Sequence, residues 1–230
     1  MNTKIKVIAF DADDTLFVNE TYFRDAEHQF AKLLTAFETE NKIEQELFKT
    51  EIKNLDLYGY GVKGFMLSMV ECALDISNNN LNPKLLNDIL NIGKEMLEKP
   101  IELLDGVEVV LKALQGKYKL IVATKGDLLD QERKLEKSGL MQYFHHIEVM
   151  SDKKENDYKK LLSHLDIEAN ELLMIGNSLK SDILPLVTIG AFAIHVPFHT
   201  TWAHEEVSAI EQSTTAYKTV ASITEILKLV

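Results

Sequence analysis

The chain has 230 residues, enough for one large domain or two small ones at roughly 100–200 residues each. Its 36 acidic residues outnumber 25 Lys and Arg for a net charge of −11, which speaks against nucleic acid as a partner, since a phosphate backbone needs a surplus of cations. A hydrophobic share of 46% excludes a disordered chain, and the single cysteine, Cys72, excludes both an internal disulfide and a cysteine-based zinc site. One unpaired cysteine also suits a reducing compartment. The N-terminal stretch MNTKIKVIAFDADDT turns acidic too early for a signal-peptide core. No apolar run approaches the roughly 18–20 residues of a membrane span. These features predict a soluble, cytoplasmic protein with no membrane partner.

Ile5, Val7, Ile8, Ala9 and Phe10 form an apolar, β-branched run that predicts a first strand, ending abruptly at Asp11. From Val18 to Lys99 the pattern is helical instead. Phe23, Ala26, Phe30, Leu33, Leu34 and Phe37 recur at helical spacing; Leu47–Leu55 and Phe65–Leu74 continue it. A fourth helix opens at Asn82-Pro83, an N-cap with proline in the first turn, and runs towards Leu97. Between the second and third, Tyr58–Gly64 carries three glycines and reads as a surface or lid loop. From about residue 100 strands and helices alternate. Leu120–Ala123, Ile147–Met150, Leu172–Ile175 and Phe192–Val196 lack polar alternation, as strands buried on both faces of a parallel sheet do. Val107–Leu114, Leu128–Ser138, Tyr158–Leu165 and Ile183–Val187 are helical, the last carrying Pro185. The prediction is an α/β doubly wound parallel-sheet (Rossmann-like) core, residues 1–17 and 100–230, with a four-helix domain, 18–99, inserted after the first strand.

Four clusters fall just beyond predicted strand ends, where ligands bind on such sheets. They are Asp11-Ala12-Asp13-Asp14-Thr15, Thr124-Lys125-Gly126, Lys153-Lys154, and Gly176-Asn177-Ser178 with Asp182 further on. Neighbouring carboxylates repel unless a cation or proton sits among them. Oxygen donors of this kind suit Mg²⁺, and hydroxyl and ammonium groups suit phosphoryl oxygens.

The order VIAFDADDTLF, LIVATKG, SDKKENDYKKLL and MIGNSLKSD resembles the four motifs of the haloacid dehalogenase-like (HAD) hydrolase superfamily, in its phosphatase branch with a helical cap after the first motif. The resemblance implies a Mg²⁺-dependent hydrolase of a small phosphomonoester. Asp11 would be the nucleophile, forming an aspartyl-phosphate. Asp13 would protonate the leaving oxygen and then activate water. Thr124 would hold phosphoryl oxygens, and a motif-three lysine would neutralise charge. The spacing to Tyr158 favours Lys153, with Lys154 the alternative. Asp11, the main-chain carbonyl of Asp13, Asn177 and Asp182 would hold the metal. Asn177 stands where the family usually has Asp, so Asp182 is expected to carry more of the metal binding. Asp14 replaces a common glycine and is expected to support the turn.

Tyr58, Tyr60 and Lys63 of the glycine loop, and Lys125 beside Thr124, are candidate substrate contacts; packing and turn roles compete with them. His195, His199 and His204 lack the partner spacing of a metal site. Cys72 reads as a small buried hydrophobe. The expected partner is a small phosphorylated metabolite, for a monomer or homodimer. Three alternatives keep the acidic site. A 2-haloacid dehalogenase shares Asn177 but lacks the second Asp, and a sugar phosphomutase uses the same Asp pair. A phospho-accepting receiver domain is shorter and has no helical insert.

Overall fold

The computed structural model describes residues 5–208 and 217–230. Six parallel strands form one sheet in the order β3-β2-β1-β4-β5-β6. They are β1 Val7–Phe10, β2 Lys119–Lys125, β3 His146–Met150, β4 Leu172–Gly176, β5 Phe192–His195 and β6 Lys218–Thr219. The chain builds outward from β1 on one side, then crosses to build outward on the other. β1 and β4 therefore flank the point where the strand order reverses, and a crevice opens beyond their carboxyl ends at such a point.

Side chains of the inner strands β1, β2 and β4 alternate between two apolar layers, which is why these strands show no polar alternation. Ile8, Phe10, Leu120, Val122, Leu173 and Ile175 pack on one face with α5 (Val107–Leu114), Leu135 of α6 (Leu128–Ser138) and the 3₁₀ segment Ile223–Lys228. Val7, Ala9, Ile121, Ala123, Leu172 and Met174 pack on the other with α7 (Glu155–Leu165) and Leu186 of α8 (Leu184–Thr188). Each buried Leu, Ile or Val side chain stabilises the fold by roughly 1.5–3 kcal/mol relative to exposure. Edge strand β3 is only half-buried along most of its length, unlike the fully buried run the sequence predicts. The helix expected over Ile183–Val187 is present as α8. A π-helical turn, Leu179–Ile183, precedes a short α8, whose second residue is Pro185. Ser178 caps that turn by accepting the Ser181 amide.

The chain divides into two compact units: residues up to 20, 101–125 and 131–230 form the sheet unit, and 21–100 with 126–130 the helical one. The helices are α1 Glu20–Leu33, α2 Glu40–Tyr58, α3 Val62–Ile76 and α4 Pro83–Glu98. As the Asn-Pro signal predicts, Asn82 Oδ1 accepts the Leu85 amide at 2.8 Å. Phe30, Leu34, Ile43, Leu47, Met69 and Ile89 fill the helical core. Cys72 is buried with them, and burial pushes its thiol up to about 12, so it is inert. No helix among the described residues is long and apolar enough to cross a membrane.

Candidate active site

Strand register brings the first, second and fourth clusters together. Phe10 lies opposite Val122 on one side and Ile175 on the other. Asp11, one step beyond, is therefore level with Gly176, and Thr124 is level with the turn that follows Asp11. The Asp11 amide donates to the Ile175 carbonyl at 2.9 Å, which fixes the carboxylate at the strand end. Asp11 is 6% exposed.

Lys153 reaches this carboxylate from the loop after β3. Its Nζ lies 2.5 Å from Asp11 Oδ1 and 2.7 Å from Asp182 Oδ1, and the side chain is buried. Lys154 points elsewhere; its exposed ammonium pairs with Asp152 at 2.8 Å. Burial alone would lower the Lys153 ammonium, yet Asp11 and Asp182 hold it well above its ordinary value. Burial pushes the Asp11 carboxyl up to about 7, with Lys153 opposing the shift and Asp182 adding to it. One buried ammonium thus faces two buried carboxylates.

Asp182, expected to carry more of the metal binding, is hydrogen-bonded at both oxygens. Oδ1 accepts from Lys153, and Oδ2 accepts the Ser178 amide at 3.0 Å. Gly176 makes this possible, because a Cβ there would overlap the Asp182 carboxylate. Asn177 stands closer to Asp11. The Thr15 hydroxyl lies 3.1 Å from Asp11 Oδ2 and 3.2 Å from Asn177 Oδ1, and its single proton serves one of them at a time. Asn177 thus faces Asp11 through Thr15, and Asp182 faces Lys153.

Asp13 turns its side chain to α6. Lys134 Nζ is 2.6 Å from Oδ1, and Gln131 Nε2 is 2.8 Å from Oδ2. The same Gln131 amide nitrogen donates to the Lys125 carbonyl at 2.7 Å. Two acceptors fix the orientation of that amide, and its buried Oε1 has no protein partner. Asp14 supports the turn as expected. At φ 60° it presents its carboxylate to the amides of Asn19 and Glu20. Burial pushes the Asp14 carboxyl up to about 7, against the Asn19 amide.

Thr124 is buried at the end of β2, its hydroxyl 3.3 Å from the Lys125 carbonyl. Lys125 directs its ammonium to Ser181 Oγ and Glu205, at 2.8 and 2.6 Å. In the helical unit the Tyr58 hydroxyl donates to Glu71 and Lys63 pairs with Asp127 at 2.9 Å, so both are engaged there. Tyr60 is half-buried in the same loop. His195 Nε2 lies 3.0 Å from the Asn177 carbonyl and steadies that loop; His199 and His204 lie against Phe198 and Trp202.

Sequence reasoning placed Thr15 in the first cluster without a role of its own, and missed Gln131, Lys134 and Glu205 as parts of this site. Gln131 and Lys134 are one helical turn apart beside buried Leu135, so polar residues on the buried edge of α6 were the available signal. Glu205 lies in a 3₁₀ turn, Ala203–Glu205, whose sequence carries no periodic signal.

The profile of the haloacid dehalogenase-like hydrolases matches residues 5–190. The chain belongs to that family. The HAD hydrolase is 34% identical to a haloacid dehalogenase-like family hydrolase from Xanthomonas campestris, with a TM-score of 0.85 over 96% of this chain and 88% of that one. It also shares its fold with a predicted phosphoglycolate phosphatase from Haemophilus somnus at 17% identity and a TM-score of 0.66, over 99% and 98% of the two chains. A 2-haloacid dehalogenase from Pseudomonas syringae pv. Tomato gives 16% identity and a TM-score of 0.64 over 98% and 97%. No curated protein matches the chain.

The residues present fit a hard divalent cation. The Lys153 cluster leaves one carboxylate charge over, and Asp11 Oδ2 and Asn177 Oδ1 flank one hydroxyl that can donate to only one of them. Among the described residues no group of three His, Cys, Asp or Glu side chains could hold a metal ion; the oxygens side by side here are one carboxylate, Asp11 Oδ2, and one amide, Asn177 Oδ1.

Proposed function

We propose that this HAD hydrolase is a Mg²⁺-dependent phosphatase of a small phosphomonoester. Asp11 is the nucleophile, and its attack on phosphorus gives an aspartyl-phosphate and releases the alcohol. Lys153 holds Asp11 Oδ1 and leaves Oδ2 for attack or for metal. Mg²⁺ bound by Asp11, Asn177 and the Asp13 carbonyl would supply Lewis-acid stabilisation of the phosphoryl charge. Thr124, level with the Asp11–Asp13 turn, binds phosphoryl oxygens. The helical unit, inserted after the first motif, serves as the cap.

The observation that carries this reading is the second carboxylate. Asp13 is held at both oxygens, by Lys134 and Gln131, an investment of buried polar groups around one side chain. A phosphate ester releases an alkoxide, which needs a proton, and Asp13 supplies it once it takes one up and leaves Lys134. Halide leaves without a proton. The dehalogenase alternative, favoured by Asn177, gives no role to Asp13; the phosphomutase alternative would use it in the same way.

Asp11→Asn is expected to lower turnover of aryl and alkyl phosphates by at least about 10³-fold without unfolding the protein. Asp13→Asn should slow alkyl phosphates far more than nitrophenyl phosphate. Single-turnover kinetics on both esters, with and without chelator, tests this alongside halide release from a 2-haloacid. Equal slowing of the two esters would remove Asp13 from the acid role. Halide release in a parent with no phosphatase activity would establish the dehalogenase, and transfer of phosphate to a sugar in preference to water the mutase.

A further inference from the structure

Glu205 belongs to none of the four family motifs, yet its carboxylate touches two of them. Oε1 accepts from Lys125 Nζ at 2.6 Å. Oε2 accepts the Ser178 and Ser181 hydroxyls at 2.5 and 2.6 Å. The two hydroxyls are themselves committed. Ser178 Oγ accepts the Ser181 amide at 3.0 Å, and Ser181 Oγ accepts Lys125 Nζ at 2.8 Å. The Glu205 and Lys125 side chains are 13% and 14% exposed, and both serines are buried. A buried ion pair of this sort is worth keeping only where its remaining lone pairs and protons are satisfied, and here they are.

The loop so held is the one that shapes the metal site. Ser178 follows Asn177 directly, and its amide donates to Asp182 Oδ2. Ser181 precedes Asp182, and its carbonyl accepts the hydroxyl of buried Tyr158 at 2.9 Å. Glu205 thus fixes the two hydroxyls that bracket the turn between Asn177 and Asp182. It also neutralises the ammonium of Lys125, next to the phosphate-binding Thr124.

We propose that Glu205 is a positioning residue for magnesium: by pairing with Lys125 and gripping Ser178 and Ser181, it sets Asn177 against Asp11 and keeps the Lys125 charge off the cation site. The inference rests on the phosphatase reading only for the identity of the metal. Loss of Glu205 acts in two ways. It unties the turn that presents Asn177, and it removes the carboxylate 2.6 Å from an ammonium, adding repulsion to an incoming cation. Partners at one remove from a metal typically change its affinity about 10–100-fold when lost.

The test is calorimetric titration of MgCl₂ into the parent, Glu205→Gln, Glu205→Ala, Lys125→Met and the Lys125→Met/Glu205→Gln double variant, with no substrate present. Glu205→Gln keeps the side-chain volume and safeguards against a misfolded Ala variant; near-ultraviolet circular dichroism checks each fold. Glu205→Gln is expected to weaken Mg²⁺ binding about 10-fold or more. The double variant should recover most of that loss, because the repelling ammonium has gone with its partner. A folded Glu205→Gln that binds Mg²⁺ within twofold of the parent overturns the proposal, even if its melting temperature falls, since that is the mark of a merely structural contact. A double variant as weak as Glu205→Gln overturns the charge argument. A parent that binds no Mg²⁺ overturns the metal reading and this role with it, an outcome distinct from parent binding that ignores Glu205.

Discussion

Two lysines of the sheet unit, whose partners Ser181 and Asp182 are adjacent in the chain, behave oppositely. Lys125 pairs with Glu205, which two hydroxyls also hold. Burial would raise that carboxyl, but Lys125 and the hydrogen bonds hold Glu205 down at about 2. Lys153 meets two carboxylates, and burial leaves Asp11 up at about 7 in spite of it. Depth and charge both separate the clusters: Lys125 and Glu205 are 14% and 13% exposed, whereas Lys153 and Asp182 are almost wholly buried. The hydroxyls that hold Glu205 make its pair part of the framework. The Lys153 cluster is unbalanced, with two carboxylates to one ammonium, and it is the one at the end of β1.

Removing the ammonium from the unbalanced cluster breaks the comparison most violently. Lys153→Met leaves Asp11 and Asp182 buried together, and the metal-free protein should lose about 3–5 kcal/mol of stability. Urea denaturation with chelator and with magnesium measures it, and magnesium should restore part of the loss. Stability unchanged in chelator would mean the cluster carries no excess charge. Gly176→Ala disturbs the same cluster sterically, by driving a methyl group into the Asp182 carboxylate. A loss of about 1–3 kcal/mol is expected, read from the same denaturation curves, and a neutral result would show that Asp182 moves freely.

The smallest effect is the most diagnostic. The Asp11 carboxyl is raised from 3.8 to about 7, so across that window the folded state holds its proton more tightly than the unfolded chain does. Stability from this group is present at low pH and is lost as pH rises towards and through 7. Asp14, also raised to about 7, adds a slope of the same sign whether or not metal is present. On the proposed function, magnesium would replace the proton at Asp11 and leave that at Asp14. The gain in melting temperature on adding magnesium should therefore be larger at pH 8 than at pH 5. An equal gain at both would detach Asp11 from the metal.

The sheet was legible because its strands are short apolar runs buried on both faces, and the helices because Asn82-Pro83 and the spacing of Phe23, Ala26 and Phe30 are local signals. The two-residue β6 is too short to show a period, and the π-turn at Leu179–Ile183 is set by Ser178 and its tertiary partners. In the site, Asp11, Lys153, Asn177 and Asp182 were legible because each follows a strand of a parallel sheet. Sequence left Lys153 and Lys154 open, since adjacent lysines look alike until one of them is buried. Charge pointed to Asp182 as the stronger of the two motif-four donors, while the hydrogen bonds that Lys153 and the Ser178 amide give its two oxygens are set by tertiary contacts. Gln131, Lys134 and Glu205 lie away from strand ends, where register says nothing.

The chain leaves the sheet unit and returns to it along paired segments. Phe17 and Leu103 form an antiparallel bridge, the Val18 amide donates to the Glu102 carbonyl at 2.9 Å, and the Leu104 amide donates to the Leu16 carbonyl at 3.0 Å. The outgoing and incoming backbones are thus pinned about 5 Å apart by the sheet unit's own contacts. Such a junction is a socket. A hairpin turn of two to five residues spans the same gap, as does any compact module whose ends meet at that distance. The helices can therefore be excised, lengthened or exchanged for another insert without reopening the sheet, so that one catalytic chassis can acquire new selectivity by transplantation at Val18 and Glu102.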